Sequence, residues 1–230
     1  MIEYIRLALQ PHFHLGWNLF LAVVPLALAL WLFRRRERRG WFWWPVFFAF
    51  VAFLPNAAYT LTDVIHFVSE VQQSDELPVW SVVYVIIPKY AGFMFVGFQS
   101  HVISLILVGV YLRWMGHKNW VFAAETTLNF LCAIGVYWGR YLRFNSWEIV
   151  TQPEKIANQV LQHLMMDDLG YLVVLRYFIV LTASYYVVKF IDIAVWEYWQ
   201  RKRLEGLFPA RVAAWLPKRP KSKTAEPEAA

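Results

Sequence analysis

Apolar residues dominate five stretches of the chain, Leu15 to Phe33, Trp41 to Leu54, Val79 to Leu112, Trp120 to Tyr141 and Tyr171 to about Ile193. A helix rises about 1.5 Å per residue and a bilayer core is about 30 Å thick, so about 20 such residues cross it. The first stretch has 19 residues and contains Pro25, which predicts a kink. Its Ala27-Leu28-Ala29 imitates a signal-peptide cleavage site. The run continues past those alanines and ends in Arg34-Arg35-Arg36-Glu37-Arg38-Arg39, a stop-transfer flank, so it reads as a span. The second stretch is short at 14 residues. Its helix must continue through Asn56 to about Tyr59, or give way to a new helix at Pro55. The third is too long, 34 residues with Pro88-Lys89 inside. It divides into an apolar piece, Val79 to Ile87, and a span, Ala91 to Leu112, with a kink or break between Ser81 and Ala91. The pattern therefore predicts an all-α, polytopic transmembrane helical bundle of about five spans (15–33, 41–59, 91–112, 120–141, 171–193). They form one integral membrane domain over residues 1–200, with amphipathic extracytoplasmic helices.

Polar positions are also patterned. On a helix turning about 100° per residue, Asn56, Tyr59, Asp63, His66 and Glu70 share a face opposite Ala57, Leu61, Val64, Ile65 and Val68. This predicts an amphipathic helix with Pro55 at its first position, on the outer surface or folded onto the bundle. Its polar face is either solvated or the wall of a site. In the fourth span Glu125, Asn129, Cys132, Val136, Arg140 and Arg143 line one stripe, and Gly135 and Gly139 permit close contact on a neighbouring face. The third span has a matching face of Gly97, Ser100, His101, Ser104 and Val108. Charged groups within spans usually face an interior, which makes Glu125 and His101 candidates for a mutual hydrogen bond. The snorkelling habit of charges near helix ends favours instead that Glu125 reaches the interface. Past the fourth span, Thr151-Gln152-Pro153-Glu154 has capping-box spacing, with Ile156, Val160, Leu161 and Leu164 following at helical intervals.

Composition agrees with the pattern. Hydrophobic residues are 59% of the 230 and charged ones 17%, at mean hydropathy +0.40. Soluble domains hold about 45–50% apolar and about 25% charged residues, so a soluble protein is excluded. One cysteine leaves neither a disulfide framework nor a Cys-based zinc site. Basic residues alternate between sides. Five arginines follow span one, Arg113 and Lys118 follow span three, and Arg201, Lys202, Arg203, Arg211, Lys218, Arg219, Lys221 and Lys223 follow span five. Cytoplasmic loops carry such excess, so the N-terminus is expected outside and the C-terminus in the cytoplasm. Residues 201–230 read as a basic, largely disordered tail. The net charge of +6 suits anionic lipid at the basic loops, not nucleic acid.

That orientation puts Arg140 and Arg143 at the extracytoplasmic boundary, where positive charge is disfavoured. Either arginine pairs with Asp63 or Glu148 as a clamp, or the two hold a phosphate or carboxylate through their planar forks. Asn145 or Ser146 can cap a helix that Glu148 opens. The pairs Asp63/His66 and His163/Asp167 are too sparse for a metal site, and none is expected. GxSxG, Walker, HExxH and dinucleotide motifs are missing, and no cofactor is expected.

Phe53-Leu54-Pro55-Asn56-Ala57-Ala58-Tyr59, followed by Thr62-Asp63 and His66, resembles the first signature of an uncharacterised bacterial family of polytopic membrane proteins, a domain of unknown function. Gly135-Val136-Tyr137-Trp138-Gly139-Arg140, then Arg143-Phe144-Asn145-Ser146-Trp147-Glu148, is similar to its second. Ala58 stands where proline is expected, which loosens the turn, and Glu148 where aspartate is expected, which keeps the charge. The resemblance covers most of the chain and implies a bacterial inner-membrane protein, but no activity. The residues point to an extracytoplasmic site for an anionic group such as a lipid headgroup or isoprenoid phosphate. It would be built from Asn56, Tyr59, Asp63, His66, Arg140, Arg143, Asn145 and Glu148, with Asp63 and His66 as candidate acid and base. The alternatives are a small-solute or ion transporter lined by the Glu125–Arg143 stripe and a non-catalytic scaffold.

Overall fold

A computed structural model describes residues 13–34, 40–72, 78–141, 151, 154 and 170–202. Among them every regular element is helical. In chain order these are α1 (Phe13–Phe33), α2 (Trp43–Tyr59), a 3₁₀ turn (Thr60–Asp63) and α3 (Val64–Gln72). A short helical turn (Val79–Ser81) and a π-helical segment (Val82–Ile86) then lead into α4 (Ile87–Trp114). A second 3₁₀ turn (Lys118–Trp120), α5 (Val121–Tyr141) and α6 (Gly170–Lys202) complete the order. Among the described residues five stretches are long and apolar enough to cross a membrane: Leu15–Phe33, Trp43–Gln72, Val79–Trp114, Lys118–Tyr141 and Gly170–Gln200. The chain divides into two compact units, Met1–Lys189 and Phe190–Ala230. Of the second, the last turns of α6 are described, with Tyr198 packed edge-on to Trp199.

The second span continues to Tyr59, the first of its two expected courses, while two expectations tied to proline differ from what is observed. Pro55 does not open a new helix. It lies inside α2, which continues to Tyr59. The polar-faced segment is thus the end of α2, a 3₁₀ turn and α3 in succession, not one helix. Pro88 does not separate two helices either. Its ring crowds the carbonyl four residues back, at Tyr84, and it lacks an N–H to bond it. The chain answers with the π-helical segment just upstream, whose wider turn relieves that crowding while helical structure runs from Val79 to Trp114.

In the first unit α1 packs on α2 and α4, and α5 packs on the same two helices. Phe33, Phe50, Leu54, Val102, Leu105, Leu128, Cys132, Val136, Leu181 and Tyr185 form the apolar centre. Phe33 is edge-on to Phe50, ring centres 5.4 Å apart, and also meets Tyr111. Trp31, Phe48, Phe95 and Ile179 point outward, as lipid-facing side chains do, while Thr60, Asp63, Ser100, His101, Ser104, Glu125 and Asn129 are buried. This is the distribution a bilayer favours. Lipid solvates apolar side chains as well as a core does, whereas polar groups must find partners inside.

Two glycines set the closest approaches. A Cβ on Gly97 would lie 2.4 Å from the Thr60 side chain, and one on Gly135 would lie 2.6 Å from the Pro55 ring. The first draws α4 onto the 3₁₀ turn. The second draws α5 onto α2, so Pro55 and Gly135, one from each signature motif, are in contact.

Candidate functional site

The site lies where α2 and α5 end together. Thr60 Oγ1 donates to the Ala57 carbonyl at 2.8 Å and Thr62 Oγ1 to the Tyr59 carbonyl at 2.7 Å. Such back-bonding competes with the ordinary helical ladder and accompanies the tightening into a 3₁₀ turn. Because α5 is held against α2 at Gly135, Arg140 arrives beside that turn. Its Nη2 donates to the Thr62 carbonyl at 3.1 Å, to Thr62 Oγ1 at 3.0 Å and to Asp63 Oδ1 at 3.1 Å. Its guanidinium carbon sits 4.8 Å from the centre of the Tyr59 ring, in cation–π range. The Arg140 side chain is 13% exposed and that of Asp63 4%, so the pair is largely removed from solvent. Arg140 Nε is buried and has no hydrogen-bond partner among the described residues.

Asp63, Tyr59 and Arg140, expected together, are together. Asn56 donates to the Phe53 carbonyl at 3.1 Å, one turn back on its own helix. The side chain of His66, and Arg143, Asn145 and Glu148 entirely, lie outside the described residues, as do His163 and Asp167. Sequence reasoning missed Thr62, which gives Arg140 both a carbonyl and a hydroxyl. Its place beside Asp63 in the first motif was the available signal. Near the same end, Glu70 on α3 receives Lys89 Nζ at 2.6 Å on one oxygen and Tyr90 Oη at 2.6 Å on the other. Lys89, beside Pro88 in the third stretch, thus has a carboxylate partner on α3.

A second polar cluster lies toward the opposite ends of α2 and α5. Glu125 is 2% exposed and does not snorkel to an interface, because Lys189 Nζ on α6 bonds both of its oxygens at 2.6 Å. Nor does it bond His101 directly. His101 Nε2 meets Asn129 Oδ1 at 3.0 Å, and Asn129 Nδ2 donates to the Glu125 carbonyl at 3.0 Å. The stripe of α5 and the polar face of α4 therefore face each other inside the bundle, joined through Asn129. Gly109 makes room for the carboxylate, since a Cβ there would lie 2.8 Å from Glu125 Oε1.

Helices of spanning length, lipid-facing aromatic residues and charged pairs held inside define a multi-pass α-helical membrane protein. Within that class the chain belongs to a family described as Protein of unknown function (DUF1361), whose model matches residues 17–183. The match takes in both motifs as far as Ser146, Trp147 and Glu148. No curated protein and no solved structure matches the chain.

Proposed function

We propose that the Arg140 site receives the anionic group of a membrane-resident molecule, a lipid headgroup or an isoprenoid phosphate, at the extracytoplasmic face. The observation that carries this reading is the unfilled Nε of Arg140 on a side chain whose Nη2 is already engaged and whose flat face lies on Tyr59. Thr62 and Asp63 occupy Nη2 and Tyr59 supports the flat face, so the guanidinium is held in place before any ligand arrives. Pre-ordering of this kind lowers the cost of binding. Asp63 then serves as a positioning residue, because its oxygen is engaged by Arg140. Arg143, Asn145, Glu148 and His66 complete the site, with His66 as the remaining acid–base candidate. The basic segments after spans one, three and five hold the opposite face against anionic lipid of a bacterial inner membrane, with the N-terminus outside.

A second reading, a non-catalytic clamp, is favoured by the Asp63 pairing, which already neutralises Arg140. Native mass spectrometry of protein purified in mild detergent separates the two. Wild type is expected to carry phosphate-bearing lipid, and Arg140→Lys, which keeps the charge and loses the fork, to release it. Wild type free of such lipid, with a lower unfolding temperature in the variant, would favour the clamp.

A further inference from the structure

The cluster around Glu125 has chemistry of its own, independent of the Arg140 site. The Glu125 carbonyl can only accept, so the Asn129 amide must turn its NH₂ toward it, as the 3.0 Å bond shows. Asn129 Oδ1 therefore faces His101 and also can only accept. His101 Nε2 must then carry the ring proton, and in the neutral ring Nδ1 is a bare lone pair. His101 is wholly buried, and that Nδ1 has no partner. Tyr185 closes over the ring edge-on, 6.1 Å between centres.

The surroundings share the deficit. Tyr185 and Tyr186 hydroxyls lie toward Glu125, and Tyr186 also toward Thr126, without completing a hydrogen bond of good geometry, and the Thr182 hydroxyl is likewise buried without a partner. Among the described residues, His101 Nδ1 and the hydroxyls of Thr126, Thr182, Tyr185 and Tyr186 are, with Arg140 Nε, the buried side-chain atoms without a partner. Buried polar groups of this kind ordinarily find partners in protein or bound water. A buried lone pair that can only accept calls for a donor, and a water molecule can supply one. Depth narrows the choice further. His101 is the fifteenth of the 28 residues of α4, close to its midpoint, whereas Glu125 is only the fifth residue of α5.

We infer that this cluster is a hydrated proton site, reached from the Glu125 end, in which His101 takes up a proton at mid-depth in the membrane. Hydronium transfers its proton to His101 Nδ1, leaving water and an imidazolium that donates from both nitrogens, Nε2 to Asn129 and Nδ1 to that water. Release to a water leading toward the Arg140 end regenerates hydronium and the neutral ring, so that uptake from the Glu125 end and release toward the other carry one proton across. The charged and titratable groups that bear on it are Glu125 and Cys132 on α5, Lys189, Tyr185 and Tyr186 on α6, and Arg113 on α4. From Leu15 onward α1 offers none, and α2 offers none before Tyr59.

The test uses the full chain in liposomes holding a pH-sensitive dye, with a potassium diffusion potential set by valinomycin. Wild-type vesicles should acidify several-fold faster than protein-free ones, and His101→Gln should return the rate to the protein-free level. Gly92→Ala, at an open position on α4, should conduct as wild type does. Should His101→Gln fail to fold, Tyr185→Phe takes its place with the same expectation, since it removes one unsatisfied hydroxyl and keeps the ring. Wild type no faster than protein-free vesicles, or a folded variant as fast as wild type, overturns the inference.

Discussion

Among residues, the Asp63–Arg140 and Glu125–Lys189 ion pairs carry the clearest consequences. Asp63 and Arg140 are both mostly desolvated, so removing either strands the other away from water. The cost of breaking such a pair is on the order of 3–5 kcal/mol. Arg140→Ala should therefore destabilise the protein far more than Arg38→Ala, which is expected to stay within about 0.5 kcal/mol. Denaturant titrations in mixed micelles measure both. Asp63→Ala combined with Arg140→Ala should cost less than the two changes summed, and agreement with the sum to within about 0.5 kcal/mol would break the proposed coupling. Glu125 and Lys189 make a parallel case. Glu125→Gln leaves a buried ammonium and Lys189→Met a buried carboxylate, and each should lower stability sharply. The double variant Glu125→Gln, Lys189→Met removes both charges and should recover part of the loss. A double variant no more stable than the worse single one would show that the charges do not compensate each other.

At the level of helices, proline and glycine govern where α2, α4 and α5 meet. Pro55 sits within α2 and its ring fills the space left by Gly135 on α5. A proline ring cannot rotate aside, so Gly135→Ala must push the helices apart, at a cost of about 1–3 kcal/mol for an overpacked contact. Gly92→Ala is the matched control, because a Cβ there has no heavy atom within 4 Å. It should be neutral or slightly stabilising, alanine being the better helix former. Equal losses in both variants, by thermal unfolding in detergent, would mean that the Pro55–Gly135 contact does not hold α5 in place. This contact also links element to site, since it is what delivers Arg140 to Thr62 and Asp63. The motifs were legible as sequence, and Gly135 was legible as a point of close helix approach. That its partner is Pro55 was not, because small-residue spacing marks an interface without saying which helix fills it.

For the whole molecule, orientation in the bilayer follows from charge rather than packing. Basic residues cluster after spans one, three and five, and such segments are ordinarily retained on the cytoplasmic side, which is the orientation we propose. Reporter fusions after Arg39, Lys118 and Arg203 are expected to be cytoplasmic and those after Gln72 and Gln162 exported. A cytoplasmic signal at Gln72 would invert or break the five-span arrangement. The hydrophobic pattern already contained the helical class and the five long apolar helices, since each span must be apolar along its length regardless of its neighbours. It also put Asp63 and Arg140 near one end of the bundle as possible partners, with Arg143 and Glu148 as the alternatives, and the pairing of Asp63 with Arg140 is the choice the tertiary structure makes. Glu125 shows the limit of that reasoning. On its own helix it looked close enough to an end to snorkel, and Lys189, 64 residues away, is what keeps it inside. The same limit applies to His101, whose proton-bearing nitrogen follows from Asn129 and a backbone carbonyl on another helix. Local sequence determines how far a segment can extend through lipid and which of its faces is polar, because those depend on hydropathy and helical period alone. Only the tertiary structure decides which polar faces meet, because a pairing depends on the crossing of two helices, set here by a proline ring against a glycine.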